Sequence, residues 1–366
     1  MSNTQKKNVP ELRFPGFEGE WEEKKLEDII KVNSGKDYKH LDKGDIPVYG
    51  TGGYMTSVSE PLSEIDAVGI GRKGTINKPY LLEAPFWTVD TLFYCTPKKE
   101  TDILFILSLF RKINWKVYDE STGVPSLSKQ TINKINRFVP TNKEQQKIGK
   151  FFSKLDRQIE LEEQKIELLQ QQKKGYIQKI FSQELRFKDE NGDDYPEWEE
   201  TTIQEIAQIN TGKKDTKDAI TNGSYDFYVR SPIVYKINTF SYEGEAILTV
   251  GDGVGVGKVF HYVNGKFDYH QRVYKISDFK NYYGLLLFYY FSQNFLKETK
   301  KYSAKTSVDS VRKDMVANMK VPRPIYIEQE KIGQFIKKVD NKIKIQKQVI
   351  ELLKQRKKAL LQKMFI

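Results

Sequence analysis

The chain has 366 residues, enough for two domains at about 150 residues each, and its 60 Lys and Arg exceed its 49 Asp and Glu for a formal net charge of +11. With 38% hydrophobic and 13% aromatic residues it has material for real cores, which excludes wholesale disorder, and its longest apolar runs fall far short of the ~20 residues of a membrane span. The polar first residues lack the apolar core of a secretory signal, the single Cys95 precludes an intrachain disulfide and fits a reducing cytoplasm, and three histidines (His40, His261, His270) are too few for a zinc cluster.

In chain order, the first feature is an opener: Glu11-Leu12-Arg13-Phe14, then Trp21-Glu22-Glu23 with Leu26, Ile29, Asn33, Gly35 and Lys36. It leads into β-branched and aromatic segments punctuated by glycine, Ile46–Tyr54 and Ala67–Gly74, which predict short strands and tight turns. A helical stretch is expected around Leu104–Ile113. Glu144–Phe181 then predicts one long helix, with Thr141-Asn142-Lys143-Glu144 as a capping box and Pro140 just outside it.

After this helix the chain repeats itself. Glu184-Leu185-Arg186-Phe187 and Trp198-Glu199-Glu200 restate the opener, with Ile203, Ile206, Asn210, Gly212 and Lys213. A second glycine-punctuated segment includes Ala246–Gly253, and a second helical stretch is expected at Leu285–Glu298. Glu328–Phe365 aligns without a gap to Glu144–Phe181 at an offset of 184 (328 minus 144), with about half the positions identical. Pro324 matches Pro140, but Ile325 stands where the capping Thr would be.

Both long helices carry an a/d seam of period 3.5 rather than the broader stripe of a helix lying on a globule. In the first the seam is Ile148, Phe152, Leu155, Ile159, Ile166 and Leu169, running on to Tyr176 and Ile180. In the second it is Ile332, Ile336, Val339, Ile343, Ile350 and Leu353, running on to Leu360 and Met364. Polar residues interrupt both at equivalent steps, Glu162 with Gln346 and Lys173 with Lys357, either as solvated imperfections or as register selectors. A full-length antiparallel pairing would bring Glu162 and Gln346 together, and each 38-residue helix would be ~57 Å long.

The expected architecture is α+β: two β-rich globular segments with short helices, at residues 1–140 and 184–324. They alternate with long helices at 141–183 and 325–366 that form an antiparallel coiled coil about a pseudo-twofold axis.

Basic, aromatic and amide residues crowd the expected turns. In the first segment these are Lys36, Tyr38, Lys39, Tyr49, Thr51, Tyr54, Arg72 and Lys73. In the second they are Lys213, Lys214, Arg230, Tyr235, Lys236, Lys258, His270, Gln271 and Arg272. Taken singly, each is an ordinary polar surface residue or a tyrosine packing a strand. Taken together, they suit base-edge contacts flanked by phosphate contacts.

Enzyme motifs fail in detail. Gly69–Gly74 fits G-x-G-x-x-G but lacks a following helix to hold a pyrophosphate, so a β-turn is expected there. Gly251–Lys258 imitates a phosphate loop, but Asp252 stands where glycine, and Val259 where Ser or Thr, is required. Asn77-Lys78-Pro79-Tyr80 departs from the N-P-P-Y of amino-methyltransferases at Lys78. No catalytic constellation and no cofactor site is expected in this chain.

The opener Pro10–Phe17 with Trp21-Glu22, the paired Glu-Gln-x-Lys-Ile helices and the two-globule layout resemble the specificity subunit of a type I restriction–modification system. The resemblance covers essentially the whole chain. It implies two target-recognition domains, each reading half of a split double-stranded DNA site, with the coiled coil setting the spacer. It also implies two modification subunits that methylate adenine N6 with S-adenosylmethionine, and restriction subunits that use ATP and magnesium for translocation and cleavage. The subunit itself would be cytoplasmic and without chemistry of its own. Adenine N6 is unreachable inside a duplex until the base is flipped, so something must hold the methylase over the right adenine. The competing expectations are a self-contained methyltransferase or nuclease with divergent motifs, and a purely structural coiled-coil scaffold.

Overall fold

The computed structural model describes residues 8–98, 100–301 and 310–366. They form two compact units: the described residues up to Lys165 together with Gln346–Ile366, and those within Ile166–Ile345. Among the described residues no helix is long and apolar enough to cross a membrane.

The first unit begins with β1 (Glu22–Lys25), the single turn α1 (Leu26–Ile29) and β2 (Ile30–Ser34). The strands β3 (Ile46–Gly50), β4 (Gly53–Val58), β5 (Ala67–Gly71), β6 (Tyr80–Leu82), β7 (Trp87–Thr88) and β8 (Leu92–Pro97) follow. Then come α2 (Ile103–Lys112), α3 (Lys129–Asn133), β9 (Asn136–Val139) and the long α4 (Asn142–Phe181), whose residues to Lys165 belong here. One sheet has the order β2-β8-β5-β6, and a smaller one β4-β3-β7 includes a parallel β3–β7 pair. All five residues of β5 are buried, as a continuous apolar run covered on both faces requires. Helix α2 starts at Asp102, whose carboxylate accepts from the Phe105 amide at 2.8 Å, and its apolar face enters the core.

The second unit contains the remainder of α4, then β10 (Glu199–Thr202), the turn α5 (Ile203–Ile206) and β11 (Gln208–Thr211). Next are β12 (Tyr225–Tyr228), β13 (Val234–Ile237), β14 (Tyr242–Val250), β15 (Phe260–Tyr269) and β16 (Val273–Ser277). The unit ends with α6 (Gly284–Lys300), α7 (Lys313–Ala317), β17 (Lys320–Arg323) and most of α8 (Tyr326–Met364). Its six-stranded sheet has the order β11-β16-β14-β15-β12-β13, with β12 and β15 parallel. The buried half of β14, Ala246–Val250, is the counterpart of β5.

The repeated opener and helix start do the same work in both units. Antiparallel pairs β1–β9 and β10–β17 bring each opener beside the start of its long helix. There Arg13 donates to both carboxylate oxygens of Glu144 at 2.8 and 2.7 Å, and Arg186 to those of Glu328 at 3.4 and 3.0 Å. Trp198 Nε1 adds a bond to Glu328 at 2.9 Å, while the equivalent Trp21 Nε1 is buried and finds no hydrogen-bond partner among the described residues. The capping box expected at Thr141–Glu144 is corrected by this: the buried Glu144 turns to Arg13, because a buried carboxylate needs a cation more than a helix end needs a cap.

The next residue is equally tied down. Gln145 Oε1 accepts from the Asp102 amide at 3.0 Å, and Gln329 Oε1 from the Tyr283 amide at 2.7 Å, at the starts of α2 and α6. Each amide also donates to the proline carbonyl ahead of its helix, Pro140 or Pro324, at 2.9 and 2.8 Å. Gly149 and Gly333 allow this approach: a Cβ there would come within 2.7 Å of the Phe105 amide and 2.7 Å of the Tyr283 ring.

Within each unit the long helices run antiparallel. In the first, Glu163 pairs with Lys354 at 2.6 Å, Asp156 with Lys357, and Gln346 donates to Glu162. In the second, Lys173 pairs with Asp340 at 2.6 Å and Tyr176 packs edge-on against Phe335 at 5.1 Å. Lys173 and Lys357, the basic interruptions of the seams, thus meet aspartates that are themselves equivalent.

Of the seam residues, Ile148, Phe152, Leu155, Ile159 and Ile350 are buried in the first unit, with Leu353 half-buried. Ile332, Ile336 and Ile343 are buried in the second, with Ile166, Leu169 and Val339 half-buried. Ile148, Phe152, Ile332 and Ile336 also belong to the globular cores. In the last heptad Ile180 and Met364 are buried as expected, but the other seam place moves by one residue: Ile177 and Leu361 are buried, whereas Tyr176 is exposed and Leu360 half-buried. A helix of 3.6 residues per turn drifts off a 3.5 repeat, and here the drift carries it toward the core.

Candidate nucleic-acid interface

Two turns, one per unit, share a construction that the sequence conceals. In the first unit β5 ends in Arg72-Lys73-Gly74, and in the second β14 ends in Gly251-Asp252-Gly253. Gly74 and Gly253 take positive φ, 86° and 78°, which only glycine adopts cheaply. The Arg72 amide donates to the Thr91 carbonyl at 2.7 Å, just before β8; the Gly251 amide donates to the Arg272 carbonyl at 2.8 Å, just before β16. On the other side the Leu127 amide donates to Arg72 at 2.9 Å, and the Val311 amide to Gly251 at 2.7 Å. Lys73 and Asp252 form matching bridges to Ser126 and Ser310. No helix follows Gly74, as expected of a β-turn there.

The two turns carry their charge differently. In the first, Arg72 and Lys73 are both exposed; Arg72 Nη1 reaches the Asp90 carbonyl at 3.4 Å and its guanidinium lies 5.9 Å from the Phe93 ring. In the second, Asp252 stands at the place of Lys73, and the cations come from flanking segments. Arg230, after β12, lies 3.3 Å from Asp252 Oδ1, and Arg272, before β16, lies 3.6 Å from Oδ2.

The remaining candidates fall at varied depths. Gln271 is exposed, its side chain donating to Asp215 at 3.2 Å and its amide to the half-buried Lys214 at 2.8 Å. His270 is only 2% exposed; its Nδ1 accepts from the Arg272 amide at 2.9 Å and its Nε2 lies 3.6 Å from Asp215. It shapes the turn from inside and offers no edge to a base. Burial foremost, then the Arg230 charge, lowers its pKa below the ordinary 6.5. Lys213 and Lys258 are exposed, and Tyr235 projects from β13 opposite Phe227.

In the first unit Lys36 is exposed, and its carbonyl accepts from Trp87 Nε1 at 2.9 Å. Tyr38 is half-buried against the small sheet's core, which leaves it a packing role. Thr51 lies half-buried in the hairpin of β3 and β4. Tyr49 packs between Tyr54 and Tyr80, while Tyr54 itself is exposed.

Sequence reasoning passed over Asp215 and Val254 and met Asp252 only as a departure from a phosphate loop. Val254, next after Gly253, is 92% exposed. An acidic residue in a basic cluster carries no signal until its partners are known in space.

The family model described as type I restriction modification DNA specificity domain matches residues 18–171 and again 195–355. The MjaVIII specificity subunit of Methanocaldococcus jannaschii, a type I restriction enzyme component, is 25% identical over 355 residues, spanning 82% of this chain and 75% of the relative. The EcoDI specificity subunit of Escherichia coli is 25% identical over 169 residues, 45% of this chain and 37% of its own. Among solved structures, the type I system S subunit from M. genitalium superposes with a TM-score of 0.70 at 16% identity, covering 98% of this chain and 99% of that one. A chain from work on assembly and conformational transition of the type I system gives 0.52 at 13%, covering 94% and 97%. At those identities the structures speak for the fold. With both halves matched in order, the chain belongs to the type I restriction–modification DNA specificity family, as a specificity subunit with two target-recognition domains and not as a catalytic subunit.

Proposed function

We propose that each unit reads one half of a bipartite double-stranded DNA site through its turn, Arg72–Gly74 in the first and Gly251–Gly253 with Arg230 and Arg272 in the second. The observation that carries this reading is the same turn built twice, with exposed cations brought to it by different residues. Shared scaffold with unlike side chains is what two readers of unlike sequences need. Lys36, Tyr54, Lys213, Lys214, Lys258 and Gln271 serve as flanking contacts.

The long helices, alike in both halves, set the spacer and dock two copies of one modification subunit, which brings S-adenosylmethionine and methylates adenine N6. Restriction subunits add ATP- and magnesium-dependent translocation and cleavage. The work is cytoplasmic, where the DNA is.

The test is methyl transfer from labelled S-adenosylmethionine to DNA by the purified chain, alone and with its modification subunits. Alone it transfers nothing; with them it directs methylation to one bipartite sequence. Transfer by the chain alone, or methylation indifferent to sequence in the complex, overturns the proposal.

A further inference from the structure

We infer that Asp252 is a positioning residue for base reading by the second unit: it holds Arg272 by its Nε edge, so that the terminal Nη pair is presented to the guanine of a G·C pair. This rests on the reading of the turn as facing DNA.

An acid at this place needs a reason, because the equivalent turn of the first unit has Lys73 there and a phosphate backbone repels a carboxylate. The geometry supplies one. The Asp252 side chain is three-quarters covered, at 25% exposure, while Arg230 and Arg272 are exposed at 50% and 63%. The anion lies beneath two cations that reach it from separate segments.

Arg272 is held through its backbone and ion-paired at its head. Its amide donates to Nδ1 of the buried His270 at 2.9 Å, its carbonyl accepts from Gly251 at 2.8 Å, and its Nε lies 3.6 Å from Asp252. A long side chain free in solvent loses rotamer entropy on binding; one held at its root and ion-paired at Nε has less left to lose. With the Nε edge turned to Asp252, the edge that has no hydrogen bond among the described residues is the Nη1–Nη2 end, whose two parallel donors match guanine O6 and N7. Among the described residues Arg72 of the first unit has no such carboxylate partner and spends Nη1 on a backbone carbonyl, so the effect belongs to the second half-site.

The experiment uses the full chain with its modification subunits and measures adenine methylation on bipartite duplexes in which each base pair is varied in turn. Wild type with no preferred bipartite site would overturn the DNA-facing reading, and this inference with it. Given a preferred site, Arg272→Ala is expected to lower discrimination about tenfold or more at one G·C pair of one half-site. Asp252→Ala and the shape-conserving Asp252→Asn are expected to lower it at that same pair, with the other half-site unchanged as the control for folding. Asp252→Glu should restore part of it, and Arg272→Ala with Asp252→Ala should be no worse than Arg272→Ala alone. A uniform change on all sequences with the Asp252 variants, a loss at a different pair, or a pair other than G·C overturns the inference while leaving the bipartite reading standing.

Discussion

At Glu328 a fully buried carboxylate takes bonds from Arg186 and Trp198. Glu328→Ala leaves a largely covered guanidinium and an indole N–H without their acceptor, and is expected to cost about 3 kcal/mol, read as a lower urea midpoint. The sequence displayed this residue plainly, twice, as Glu-Gln-x-Lys-Ile. What it could not display was the partner, because Arg186 lies 142 positions away and Arg13 lies 131 from Glu144. Histidine gives a second prediction. His261 and His270 both sit below the ordinary 6.5, chiefly through burial. The unfolded chain therefore binds protons first on acidification, so stability is complete above about pH 6.5 and declines as the pH falls below it. Urea midpoints between about pH 5 and 7.5 should show that decline, and His270→Gln should flatten it.

The long helices were the most legible elements, since their spacing is local and stated twice. Their polar interruptions became intelligible only as pairs. Equivalent residues Glu162 and Gln346 bond each other, and a second carboxylate at that point would repel. Gln346→Glu is expected to cost about 1 kcal/mol at neutral pH and to be relieved below about pH 4, as thermal melts across pH would show. The terminal shift from Tyr176 to Ile177, and from Leu360 to Leu361, was hidden because a heptad count has no knowledge of the core beside the helix. The sheets were legible as strands but not as orders. The parallel pairs β3–β7 and β12–β15 join segments far apart in the chain, and alternation within a strand says nothing of its neighbour.

For the molecule as a whole, two exchanges separate its tasks. Replacing residues 1–140 with the corresponding segment of a relative should change one half-site of the methylated sequence and leave the other intact; a change in both refutes independent readers. Removing seven residues from each long helix should shorten the spacer by about 3 base pairs, at ~1.5 Å per helical residue and ~3.4 Å per pair, without altering either half-site. Mapping of modified adenines reads both. The equivalence of the two turns escaped the sequence because Arg72-Lys73-Gly74 and Gly251-Asp252-Gly253 agree only at the glycine. What is preserved there is a backbone hydrogen-bond pattern, and such a pattern tolerates almost any side chain.

Phe365 stacks on Phe105 at 5.6 Å and lies against Trp21 and Phe152, so the first unit's core is finished by residues more than two hundred positions downstream. The second unit draws on the uninterrupted stretch Ile166–Ile345. On a translating ribosome the order of emergence and the order of completion are therefore reversed. The domain that leaves the exit tunnel first must wait, partly formed and with aromatic surface bare, until its younger sibling has already been able to close. Chaperone demand during synthesis should thus concentrate on the amino-terminal half.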